Sequence, residues 1–125
     1  MADPSGIARL GQISLTVSNL ENAKKFYRDR VGLTMLFEVP NMAFFDCGGV
    51  RIMVTLPEQG KALSNSVFYF VVADIEAAHR EMADRGVTFV KEPHLLAKMP
   101  DHELWMAFFN DPDENLMALM CEKRE

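Results

Sequence analysis

Residues 13–30 read ISLTVSNLENAKKFYRDR, and residues 68–85 read FYFVVADIEAAHREMADR. Laid one over the other at a shift of 68 − 13 = 55, Val17 falls on Val72, Leu20 on Ile75, Glu21 on Glu76, Ala23 on Ala78, Lys25 on Arg80 and Asp29-Arg30 on Asp84-Arg85. Removing one residue then brings Gly32-Leu33-Thr34 onto Gly86-Val87-Thr88, and the tetrapeptide Met42-Ala43-Phe44-Phe45 recurs as Met106-Ala107-Phe108-Phe109. Ile52-Met53-Val54 matches Met117-Ala118-Leu119 near the end of each half. Self-similarity at a fixed offset marks a repeated structural unit. The reading is one domain, residues 1–125, holding an internal repeat at 8–58 and 64–122.

Each half carries the same local signals. Ile13, Leu15 and Val17 alternate with Gln12, Ser14 and Thr16, and Phe68, Phe70 and Val72 alternate with Val67, Tyr69 and Val71, the period of a half-buried strand. Ser18-x-x-Glu21 predicts a capping box for a first helix with an apolar stripe of Leu20, Ala23, Phe26, Tyr27 and Val31. Asp74 predicts the cap of a second, with Ile75, Ala78, His79 and Met82 inward and Glu76/Arg80 and Glu81/Arg85 pairs outside. Gly32 and Gly86 end the helices. Short strands follow at Thr34–Val39, Met42–Asp46 and Val50–Leu56, and at Thr88–Lys91, Leu104–Phe109 and Leu116–Cys121, with turn signals at Gly48-Gly49 and Asp111-Pro112-Asp113-Glu114. KEPHLLAKMPDHELW, from Lys91, reads as a long loop, and Gly60–Ser66 as the polar join. The expected class is α+β: two tandem βαβββ modules whose mixed sheets curve around a cavity, with one main helix each.

Composition narrows the function. The chain has 125 residues, 49% hydrophobic and 25% charged, enough for a core without metal or disulfide staples. A net charge of −5 with no basic run excludes an electrostatic footprint for nucleic acid or a polybasic membrane patch. No apolar run reaches the ~18 residues of a membrane span, and the opening MADPSG lacks a basic start and an apolar core region, so a cytoplasmic location is expected. Cys47 and Cys121 are too few for a disulfide framework and are expected to be reduced, Cys47 the more exposed. Nine methionines suit a cavity accepting variable apolar shapes.

Alternation also predicts where a site lies. If the helices cover the Ile13/Leu15/Val17 and Phe68/Phe70/Val72 faces, the opposite face carries Gln12, Ser14, Thr16, Arg51, Met53, Thr55, Val67, Tyr69, Leu116, Ala118 and Met120. An apolar surface with a few hydrogen-bonding groups and one cation has the composition of a small-molecule pocket. Two such faces packed together as core or as a dimer interface would have the same composition.

Paired βαβββ units with this phrasing resemble the vicinal oxygen chelate superfamily, which includes glyoxalase I, methylmalonyl-CoA epimerase, extradiol dioxygenases and the bleomycin and fosfomycin resistance proteins. The carrying motifs are QISLTVSNLENAKKFYRDRVGL, VFYFVVADIEAAHREMADRGV and FFNDPDENLMALM, together spanning about residues 10–121. The resemblance implies four metal-ligand positions, on the first and last strand of each unit, which fall here on Gln12, Met53, Val67 and Ala118. Only Gln12 has a side chain suited to a hard or borderline cation, where three or more O/N ligands are needed, so no metal is expected at the usual place. Glu114 stands where relatives often have glycine, which makes positive φ an unexpected conformation there.

Three readings follow. In the first, a metal-free cavity binds a small, partly apolar molecule: Tyr69, Trp105 and the phenylalanines of the two repeated tetrapeptides give aromatic surface, Arg51 pairs an anion, and Gln12, Ser14 and Thr55 supply hydrogen bonds. In the second, an enzyme of lyase, isomerase or dioxygenase type uses a divalent metal at a non-standard site built from His94, His102 and Glu103 in the 91–105 loop, or one of these histidines as general base. In the third, the chain is a structural or regulatory dimer. The resemblance implies homodimer formation under all three.

Overall fold

The computed structural model describes residue 6, residues 9–57 and residues 65–124. The repeat boundaries at 8, 58 and 64 and most of the Gly60–Ser66 join lie outside the described residues. The first module runs β1 (Gln12–Thr16), α1 (Leu20–Lys25), a π-helical continuation (Phe26–Val31), β2 (Thr34–Val39), β3 (Met42–Cys47) and β4 (Val50–Thr55). The second runs β5 (Phe68–Val71), α2 (Ile75–Asp84), β6 (Phe89–Lys98), β7 (Glu103–Asn110) and β8 (Leu116–Lys123).

Each module makes one four-stranded sheet, in the orders β1-β4-β3-β2 and β5-β8-β7-β6, with the first pair parallel and the others antiparallel. The registers coincide as well. Ser14 pairs with Met53 and Met53 with Phe44; Tyr69 pairs with Ala118 and Ala118 with Phe108. The repeated tetrapeptides therefore hold equivalent places. Ala43, Phe45, Ala107 and Phe109 are fully buried towards the helices, while their alternating neighbours Phe44 and Phe108 belong to the other face.

One core joins the modules. Leu15, Val17, Tyr27, Phe45, Val54, Phe109, Met117 and Leu119 belong to a single buried cluster together with Ile75 and Met82 of α2. The Phe26 ring lies 6.3 Å from Phe109, so the first helix packs on the second sheet as well as on its own. Burying a side chain of this size contributes about 1.5–3 kcal/mol. His79 packs edge-on against Phe89 at 4.4 Å.

A polar hub crosses the same joint. Among the described residues Asp111, 4% exposed, has no cation against its carboxylate and is held by four donors. Oδ2 accepts from Tyr27 Oη at 2.7 Å and Asn115 Nδ2 at 2.8 Å; Oδ1 accepts from the main-chain N–H of Asp113 at 2.9 Å and Asn115 at 2.8 Å. Burial, then the nearby Asp111 charge, pushes the Tyr27 hydroxyl far above the ordinary phenol range. The π-helical stretch, in which the N–H groups of both Gly32 and Leu33 reach Tyr27 O, sets this side chain at the joint. Asp113 accepts from the N–H and hydroxyl of Ser18, and Asn65 bonds both Thr16 and Asn115.

Several local expectations are corrected. Asn19, not Ser18, caps α1, its Oδ1 accepting from Asn22 N at 3.0 Å, because Ser18 is taken by Asp113. Glu76 pairs with Lys123 and Arg85 donates to Arg30 O; these partners replace the expected intrahelical ones. Glu114 adopts φ 63° after all, since the turn must wrap its main chain onto Asp111. The 91–105 segment is a hairpin rather than a loop. Three register shifts in β6 break its alternation, and its edge position tolerates Pro93.

Tyr27→Phe removes one of four donors from a buried carboxylate and is expected to lower the unfolding free energy by about 1.5–3 kcal/mol, read from urea denaturation. Glu114→Gly removes left-handed strain at the cost of a looser unfolded chain, and the same assay should show a gain of about 0.5–1 kcal/mol.

Candidate functional site

The face of each sheet turned away from the shared core is partly open: Ser14, Tyr69 and Val71 are exposed there, while Phe44, Met106 and Ala118 are buried among their neighbours. In the first module, Gln12, Ser14 and Thr16 of β1 stand beside Arg51, Met53 and Thr55 of β4, with Asp46, Phe44 and Met42 of β3 next in the ladder. Phe37 of β2 lies across from Phe44, their rings stacked at 4.5 Å and 21°. In the second module Tyr69 and Val71 of β5 stand beside Ala118 and Met120 of β8, then Phe108 and Met106 of β7, then Lys91 and His94 of β6.

Arg51 is fixed at the start of β4. Its Nε donates to Gln12 Oε1 at 2.7 Å, and its guanidinium carbon sits 5.5 Å from the centre of the Phe44 ring. Gln12 Nε2 turns to Met53 Sδ at 3.9 Å, a weak contact. Ser14 is exposed. Thr55 is buried, its hydroxyl donating to Leu56 O, so it shapes the edge of the face and offers no free donor. Val67, just before β5, is 36% exposed and Tyr69 51%, while Ala118 is fully buried between its neighbours. An apolar groove of about 530 Å³ runs between β5 and the β1/β4 pair, lined by Ile13, Val50, Ile52, Val67, Phe68 and Tyr69. Cys47 borders it, its thiol pushed up by burial and then by the Asp46 charge, which makes it a poor nucleophile.

Trp105 does not reach this face. It pairs with Cys121 on the core side of the second sheet, donates from Nε1 to Glu103 at 3.0 Å and carries Lys123 Nζ 4.0 Å above its ring. Nor are His94 and His102 together. His94 lies opposite Met106, four residues from His102 along the strand, or about 13 Å. Its Nδ1 lies 2.8 Å from Glu92 O; since a carbonyl can only accept, that nitrogen carries the proton and Nε2 is left as the acceptor of the neutral ring. His102 belongs to a polar surface groove with Asp101, Glu103, Lys123 and Arg124. No three His, Cys, Asp or Glu side chains converge as a metal site among the described residues.

The match to a known family model covers residues 9–119 and carries the description Glyoxalase/Bleomycin resistance protein/Dioxygenase superfamily. The chain belongs to this superfamily. Its relative YraH of Bacillus subtilis (strain 168) is 29% identical over 129 residues, spanning 89% of this chain and 96% of YraH. A solved superfamily member from Sphaerobacter thermophilus DSM 20745 is 27% identical with a TM-score of 0.73, covering 93% of this chain and 98% of its own. TnmS3, an antibiotic binding protein from Streptomyces sp. CB03234, has the same fold: TM-score 0.74, 22% identity, and coverage of 95% and 98%.

The residues at the superfamily's metal positions do not fit a metal. Met53, Val67 and Ala118 offer no O/N side-chain ligand, and the one suitable atom, Gln12 Oε1, accepts from a guanidinium.

The His102 groove has its own electrostatics. Hydrogen bonds first from Arg124 and then from His102 hold the Asp101 carboxyl from an ordinary 3.8 down to about 2. Because the folded value lies below the unfolded one, this pairing stabilises the chain above about pH 4 and is lost as the pH falls towards 2. In a carbon-detected NMR titration Asp101 should show a midpoint near 2, and Arg124→Ala should move it upward; a native midpoint near 4 would contradict the pairing.

Proposed function

We propose that this superfamily member is a metal-free binding protein for a small, partly apolar molecule, held against the open sheet face around Arg51, Phe44 and Met53. The observation that carries the reading is the pair of partly open outer faces: Phe37, 45% exposed, with one oriented guanidinium on the first sheet, and Tyr69, 51%, with Val71, 78%, on the second. Exposed apolar area of this extent needs a cover, and the two faces differ in a way that lets one close over the other. A homodimer in which the first sheet of one protomer meets the second sheet of its partner would enclose a cavity between them and pair the free strand edges. The antibiotic-binding role of TnmS3, which shares the fold, supports the same class of activity.

Two further points belong to this reading. Both cysteines are free, which suits a reducing cytoplasm; no helix among the described residues is long and apolar enough to cross a membrane. On the facing second sheet His94 offers a general base for turnover, its Nε2 being the unprotonated ring nitrogen of the neutral form.

Light scattering after gel filtration should give a dimer for the native chain and a monomer for Val71→Lys, which sets a charge on the closing face. Nile red, a neutral dye, should bind the native dimer saturably with at most one molecule per chain, and its affinity should fall at least about tenfold in the monomeric variant. A native monomer without saturable dye binding would overturn the proposal.

A further inference from the structure

Resting on the cavity reading above, we propose that the site selects a planar aromatic carboxylate, its carboxylate on Arg51 and its ring on the half-exposed Phe37, which Phe44 backs. The duplication supplies an internal comparison. In the first sheet Gln12, Arg51 and Asp46 form one ladder row; in the second, the equivalent row is Leu116 and Asn110, with Val67 just ahead of β5 at the place of Gln12. The second module folds to the same register with no cation there, so the βαβββ unit has no structural need of Arg51.

The guanidinium is also unspent. Among the described residues its one hydrogen bond is from Nε to Gln12, which sets the plane of the group and leaves both terminal amino groups, the pair that matches a carboxylate's two oxygens. Asp46, its ladder neighbour, turns an oxygen to the N–H of Gly49 at 3.2 Å. Glu122, the carboxylate on the open face of the second sheet, pairs with Arg124. Lys91, across from Phe108, adds a second cation to the facing wall of the proposed dimer. In a chain of net charge −5 such local cations decide the sign of a ligand.

The apolar half of the ligand is read from what adjoins Arg51. Phe44 lies beneath the guanidinium and stacks with the half-exposed Phe37, with Met53 beside it in the ladder. A flat ring carrying one carboxylate covers Phe37 and pairs the guanidinium at once, whereas an aliphatic acid leaves the Phe37 ring uncovered and a neutral arene leaves the guanidinium unpaired.

Calorimetric titration with 2-naphthoate, 2-naphthamide and 2-naphthylmethylammonium tests the assignment. The native dimer should bind the carboxylate at least about tenfold more tightly than the amide, and the ammonium most weakly. Arg51→Gln should bring the carboxylate-to-amide ratio to about one, and Arg51→Lys should fall between. Gln12→Leu, which removes the group that orients Arg51 without touching its charge, should reduce the ratio partly. Equal binding of amide and carboxylate to the native chain, or a ratio that survives Arg51→Gln, overturns this inference and leaves the cavity reading standing. No binding of any naphthyl compound overturns both.

Discussion

Asp111 is the constraint on which the arrangement of the two modules depends. Its buried carboxylate takes four donors, one of which, Tyr27, comes from the other module. A charge taken out of water is tolerable only when its lone pairs are filled, so the helix of the first module and the β7–β8 turn of the second must stay in register with each other. Ser18 and Asn65 reinforce the same joint from either side. Among the described residues the first module has no counterpart to this hub: its β3–β4 turn is the two-residue Gly48-Gly49 pair, both at positive φ, which closes a hairpin. The two modules are alike in topology and unequal in role, one carrying the clasp and the other receiving it.

With the helix-side faces committed to the shared core, whatever the chain does with small molecules falls to the outer faces. There the modules differ in the opposite sense. The first presents an oriented guanidinium over stacked aromatic rings, and the second a largely apolar surface of Tyr69, Phe108, Met106 and Met120. The glutamine that relatives using a metal could employ as a ligand is here the orienting partner of an arginine. The same framework position thus makes a different contact here, in a fold that hosts many functions.

Much of this was legible in the sequence. The repeat alone implied two equivalent modules, because Met42–Phe45 and Met106–Phe109 had to occupy equivalent places, and alternation from Ile13 and Phe68 separated the two faces. What was not legible depends on contacts between residues far apart in the chain. Ser18 is as good a cap as Asn19 until Asp113, 95 positions away, claims it. Glu114 adopts a strained backbone because Asp111 requires it. The 91–105 segment concealed two strands since its register slips three times, and period two cannot be seen through a slip. Trp105 was open to a better reading: counting back in twos from the buried Phe109 and Ala107 puts it on the core side, where it is found.

Alternation along a strand has an evolutionary consequence here. On β1 and β4 the residues that hold the fold, Ile13, Leu15, Ile52 and Val54, are interleaved one for one with those that face outward, Gln12, Ser14, Arg51 and Met53. Drift at the second set leaves the first untouched, and because the module is present twice, each wall can diverge alone. A lineage carrying this fold is therefore free to try new recognition surfaces by single substitutions without passing through an unfolded ancestor.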